Sequence, residues 1–184
     1  LLVAGTAVLL AFTDNEHRNN SYRSFRIEVL NPSPQALITL DEIHSLVKRN
    51  FGEIEGAPIS GIDLNDLEKT IDKNPYISSC EVFQTIGGGL VMKVRVRSPL
   101  VRIIDQDGDQ FYLDQNGWAM PLNLAHPSLV PVANGYITDK FVSLEKSEKP
   151  LSSFPNPTGI QQIYLVAFHV SRDPFLSSFI DQIY

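Results

Sequence analysis

Past its opening residues, the first regular pattern in the chain is alternation. Ser24 to Leu30 places Phe25, Ile27 and Val29 on one face and Arg26 and Glu28 on the other, the period-two signature of a half-buried strand. Asn31-Pro32-Ser33-Pro34 breaks it. The period then lengthens. Leu40, Ile43, Val47 and Phe51 recur at helical spacing behind Thr39, with Glu42 three residues on to complete a capping box. Gly52 and Gly56-Ala57-Pro58 end that helix. A second helix is predicted from Asp63, with Leu64, Leu67 and Ile71 as its apolar stripe and Asn74-Pro75 as its stop. A hairpin follows. Cys80, Val82, Gln84 and Ile86 share one face, and Glu81, Phe83 and Thr85 the other. Gly87-Gly88-Gly89 supplies the turn, because glycine alone adopts positive φ cheaply. On the return strand Leu90, Met92, Val94 and Val96 line the buried face, with Lys93, Arg95 and Arg97 opposite. Residues 24–98 therefore read as a β-α-α-β-β unit.

After Pro99 the pattern becomes a β-meander. Val101 and Ile103 alternate, Asp107-Gly108 turns, Phe111 and Leu113 alternate, Asn116-Gly117 turns, and Trp118 and Met120 follow. Val130, Val132 and Tyr136-Ile137 continue it weakly. Ser143 to Pro157 is polar with Pro150, Pro155 and Pro157, and is predicted to be a loop. Thr158 to Gln161 is a second capping box, and Ile160, Ile163, Tyr164, Ala167 and Phe168 carry the stripe of the helix behind it. Asp173-Pro174 opens a last helix with a cap and a proline at its first position, and an apolar helical pattern runs from Phe175 to Tyr184. The fold class is α+β: a β-α-α-β-β domain over 24–98, then a mainly-β domain over 99–184 with C-terminal helices.

The opening segment differs in kind. Leu1 to Phe12, LLVAGTAVLLAF, carries no charge, and as a helix its 12 residues reach about 18 Å against the roughly 30 Å of a bilayer core. It reads as the C-terminal half of a signal anchor, a partial transmembrane helix. Residues 13–23, rich in Asp14, Glu16, His17, Arg18, Asn19 and Asn20, read as a juxtamembrane linker. Both ends of the chain read as cut, which would leave the second domain incomplete at its C-terminus.

Composition narrows the chemistry. A net charge of −6 argues against a nucleic-acid-binding surface, which needs a basic face. The basic row Lys93, Arg95, Arg97 reads as a solvated sheet face. A single cysteine, Cys80, excludes a disulfide scaffold within the monomer and any multi-cysteine metal site; on a strand beside Val82 it reads as a small buried apolar side chain. His17, His44, His126 and His169 have no ligand spacing. Asp105, Asp107, Asp109 and Asp114 suggest a calcium loop, but counting from Asp105 the sixth and twelfth positions are Gln110 and Asn116, where such a loop needs Gly and Glu. No nucleophile motif, phosphate loop or dinucleotide fingerprint occurs. The sequence thus predicts no catalytic residue, no metal and no cofactor.

Four segments, in order, carry a resemblance: I-S-G-I-D-L-N-D-L-E over Ile59 to Glu68, N-P-Y-I over Asn74 to Ile77, V-M-K-V-R-V-R-S-P over Val91 to Pro99, and Y-L-D-Q-N-G-W-A-M-P over Tyr112 to Pro121. The chain resembles the FtsQ (DivIB) family of bitopic bacterial cell-division proteins. The resemblance implies a POTRA-type domain followed by a β domain, and a non-enzymatic scaffold of the divisome. It also implies a single-pass inner-membrane location with the body in the periplasm. The partners it implies are other divisome proteins: the FtsB/FtsL pair, whose main docking strands in the family lie past the last residue here, and FtsK-like proteins through the POTRA domain. The alternative is a POTRA-type binding module of an outer-membrane assembly or secretion system. By the same resemblance the strand from Ser79 to Thr85 is a sheet edge and Val91 to Val96 is central. That edge lacks Lys and Pro, so Ser79, Val82 and Gln84 are the candidate partner-binding residues.

Overall fold

The computed structural model describes residues 21–141, 150–151 and 159–184. The anchor expected over Leu1–Phe12, most of the linker, most of the loop over 143–157 and the capping residue Thr158 lie outside the described residues. Among the described residues no helix is long and apolar enough to cross a membrane. The chain divides into two compact units. One holds the described residues up to Asn31 with Thr39–Arg95; the other holds Pro32–Ile38 with Val96–Tyr184.

The first unit follows the order read from the sequence: β1 (Ser24–Val29), α1 (Leu40–Phe51), a 3-10 turn (Ile59–Gly61), α2 (Leu64–Asp72), β2 (Ile77–Gln84) and β3 (Gly89–Val96). Its start signals act as predicted. Thr39 and Glu42 form the reciprocal capping box of α1, and Asp63 accepts the amides of Asn65 and Asp66 at the start of α2. Gly52 ends α1 at φ +75°, a conformation that a Cβ would strain. The sheet order is β1-β3-β2, so β3 is central and β2 an edge. β1 runs parallel to β3 with Phe25 opposite Leu90, Ile27 opposite Met92 and Val29 opposite Val94. That register keeps the apolar sets of the two strands on one face. Ile43, Val47, Leu67, Ile71, Leu90, Met92 and Val94 are all buried. α2 packs along β2.

The second unit is built on a five-stranded sheet: β4 (Pro99–Ile104), β5 (Gln110–Asp114), β6 (Ala119–Pro121), β7 (Val132–Ala133) and β8 (Gln182–Ile183), ordered β6-β5-β4-β7-β8. β4, β5 and β6 form the expected antiparallel meander. β7 does not extend it: it pairs parallel with β4 on the other side, and β8 pairs parallel with β7. α3 (Gly159–Arg172) packs on β4, burying Ile160, Tyr164 and Ala167 with Val101, Ile103, Phe111 and Leu113. α4 (Pro174–Phe179) starts at the Asp173 cap, with Pro174 at its first turn, but ends at Ile180. The helical pattern read over Phe175–Tyr184 thus gives way to strand β8, whose flanking carbonyls of Asp181 and Ile183 accept the amides of Val132 at 2.9 Å and Asn134 at 3.1 Å.

One turn design holds the meander twice. Asp105 Oδ1 accepts the amides of Asp107 at 2.9 Å and Asp109 at 3.0 Å, and Asp114 Oδ1 accepts those of Asn116 at 2.9 Å and Trp118 at 2.8 Å. Each turn closes on a glycine, Gly108 at φ +86° and Gly117 at φ +84°. Each aspartate is buried, and each gives its second oxygen to a cation: Lys140 to Asp105 at 3.0 Å, Arg97 to Asp114 at 2.8 Å. The acidic run that suggested calcium is a turn scaffold, in which Lys140 meets Asp105 and Asp107 and Arg97 meets Asp114. Among the described residues no group of His, Cys, Asp or Glu is placed to hold a metal ion.

Candidate partner-binding edge

The site read from the sequence lies on β2. The Thr85 amide donates to the Gly89 carbonyl, closing the hairpin at 2.8 Å. Counting back by two, Phe83, Glu81 and Ser79 turn their backbone groups toward β3, while Gln84, Val82 and Cys80 turn theirs outward. Side chains alternate independently: Cys80 and Val82 are buried on the helix-covered face, and Glu81 and Phe83 are exposed on the other. The structure therefore separates the three candidates. Val82 is buried and offers the edge only its backbone. Ser79 is half-buried with its backbone turned inward. Gln84 is exposed, with an outward backbone, and helps line a cavity of about 190 Å³ with Ser21, Arg23, Ile59, Ile86 and the Gly87-Gly88 turn.

Two residues that the sequence reading did not single out complete the edge. The Val82 amide donates to Glu68 Oε1 at 2.6 Å, and the Cys80 amide faces the Asp72 carboxylate and favours its charged form. Both carboxylates come from α2. Their spacing explains the fit: four residues on a helix advance about 6 Å, and two residues on a strand advance about 6.8 Å. Carboxylates at i and i+4 can therefore meet amides at j and j−2 on a strand running the other way. That spacing is visible in the sequence once α2 is known to lie along β2, which local patterning does not reveal.

The electrostatics follow. Burial pushes the Asp72 carboxyl above its ordinary range; the Cys80 amide opposes this and Glu68 adds to it. Burial first, then the charges of Asp72, Glu68 and Glu81, push the Cys80 thiol up to about 12. Such a thiol stays protonated at neutral pH and is no nucleophile. On the exposed face, Lys93 sits 5.1 Å over the Phe83 ring. Arg97, read as part of the same basic row, is committed to Asp114 and to the Trp118 ring at 5.3 Å. In the second unit a separate apolar surface is open: Phe175 and Phe179 of α4 are 68% and 70% exposed with rings 4.8 Å apart.

Comparison with curated proteins yields no match. Two family models do match. The POTRA-like domain covers residues 22–95, the unit that carries the β2 edge. The model described as FtsQ/DivIB, C-terminal related, covers residues 98–184, the unit built on the five-stranded sheet. On these two matches in succession, the chain belongs to the FtsQ/DivIB family.

Proposed function

We propose that the protein is a non-enzymatic scaffold of the bacterial cell-division machinery. In this reading it is held in the inner membrane by a single N-terminal helix and works through contacts of its periplasmic body with other divisome proteins. The observation that carries the reading is the succession, in one chain, of a POTRA-like match and an FtsQ/DivIB-related match. An FtsQ/DivIB-related match directly after the POTRA-like one supports it over an outer-membrane assembly module. By family membership the partners are the FtsB/FtsL pair and, through the POTRA-like unit, FtsK-like and other division proteins. Of the candidates Ser79, Val82 and Gln84, the last two turn their backbone outward, and with them β2 is the partner edge of this unit, since an edge strand adds a partner's strand through main-chain hydrogen bonds.

Depletion and rescue in the host test both levels. Depleting the protein is expected to give filamentous cells, and the native protein restores septation. Cells that divide normally on depletion would overturn the scaffold reading. A Val82→Pro variant, its fold checked by circular dichroism, is expected not to restore division, because it loses a backbone donor of the edge. Full rescue by the folded variant would overturn the assignment of β2.

A further inference from the structure

The β2 edge is already occupied from within the chain. We propose that Glu68 and Asp72 are a built-in stand-in for a partner strand: the Glu68 carboxylate holds the outward amide of Val82 and the Asp72 carboxylate faces that of Cys80, so that β2 accepts only an extended segment whose Lys or Arg side chains take over the displaced carboxylates. This rests on the reading of β2 as a partner edge.

Unpaired edges invite adventitious pairing, and proteins cover them or place charge on them. Here both happen in one contact. The bond from Val82 is short at 2.6 Å, as charge-assisted amide–carboxylate bonds are. A strand joining β2 supplies carbonyl oxygens to the same amides and so evicts both carboxylates. Glu68 and Asp72, whose like charges already oppose each other, then stand without the amides that met them. A neutral or acidic segment leaves these two like charges unrelieved, whereas a cationic segment pairs with them. The guard also has an end. Four residues before Glu68 stands Leu64, so the spacing that serves Cys80 and Val82 brings no carboxylate to Gln84. Pairing starts at Gln84 and advances toward Cys80.

Amide exchange in the isolated protein tests the guard without a partner. In Glu68→Ala/Asp72→Ala, exchange at Cys80 and Val82 should quicken by roughly tenfold or more, while Glu81 and Phe83, turned toward β3, stay unchanged. Unchanged exchange at Cys80 and Val82 overturns the guard. If that variant does not fold, Glu68→Gln/Asp72→Asn keeps the acceptors, drops the charge and carries the second arm alone. In that arm two synthetic octapeptides, alternating Lys with Val and Glu with Val, are titrated onto labelled protein. The Lys peptide alone should shift the β2 resonances of the native protein, and the Gln/Asn variant should lose the preference. Equal shifts by the two peptides, or a preference that survives in the variant, overturn the charge requirement. Quickened exchange together with rescue of division by Val82→Pro brings down the partner edge and leaves the guard standing. Unchanged exchange with failed rescue does the reverse.

Discussion

At the scale of single residues, polar groups carry most of what local sequence pattern leaves unread. Leu67 and Met92 announce their burial by period, but Asp105 and Asp114 do not. Their motif is legible in hindsight: Asp105-Gln106-Asp107-Gly108 and Asp114-Gln115-Asn116-Gly117 repeat one turn nine residues apart. What no local pattern gives is the cation for each, since Lys140 stands 35 residues after Asp105. Burial raises the Asp105 carboxyl, but Lys140 and the amides of Asp107 and Asp109 outweigh it and hold the group below its ordinary range. The sign follows. A folded-state value below the unfolded one, about 3.9, gives stability that is present above that pH and lost as pH falls through the lower folded value. Native protein should therefore lose urea resistance as pH is lowered from 5 through about 3. Asp105→Asn should start weaker at neutral pH and show a flatter profile. Parallel profiles for the two proteins would show that Asp105 contributes no such linkage.

Whole elements were read where period and punctuation agree. Thr39 with Glu42, Asp63 and Asp173 mark helix starts because each satisfies amides that the first turn leaves open, a purely local requirement. β7 shows only as a weak continuation of the meander and β8 reads as helix, because two residues hold no period and because parallel pairing joins Val132 to Gln182 across 50 positions. The hairpin strand β2 and the helix α2 are legible in the sequence, and the resemblance puts β2 at the edge, but that α2 lies along β2 and guards it is not. That helix is also a test of packing. Leu67 and Ile71 are fully buried on the α2 face that the stripe predicts, with Ile43 and Val47 of α1 buried likewise. Leu67→Ala should cost on the order of 2–5 kcal/mol in chemical denaturation followed by far-ultraviolet circular dichroism. A loss under about 1 kcal/mol would remove Leu67 from the core.

At the scale of the molecule, the chain passes between its two units more often than a bead-on-string reading allows. Asn31-Pro32-Ser33-Pro34 says where β1 stops; a breaker does not say which unit the following residues join. Pro32–Ile38 belong with the second unit before the chain returns at Thr39. Leu37 is fully buried, and within that unit its carbonyl accepts Asn123 Nδ2 at 2.8 Å and Gln35 Nε2 donates to the Leu129 carbonyl at 3.4 Å. A segment contributed from 86 positions away is the kind of contact that local pattern misses. It also makes the stability of the second unit depend on residues that precede α1. The single tryptophan of the chain, Trp118, lies in that unit and reports on it alone. Leu37→Ala should lower the denaturation midpoint seen by Trp118 fluorescence by an amount equivalent to about 2–5 kcal/mol, the range for emptying a fully buried leucine site. A chain beginning at Val96 lacks the segment altogether and should show a Trp118 transition that is weaker still or absent. A Trp118 transition unmoved in both variants would mean that the second unit folds without the segment from Pro32 to Ile38.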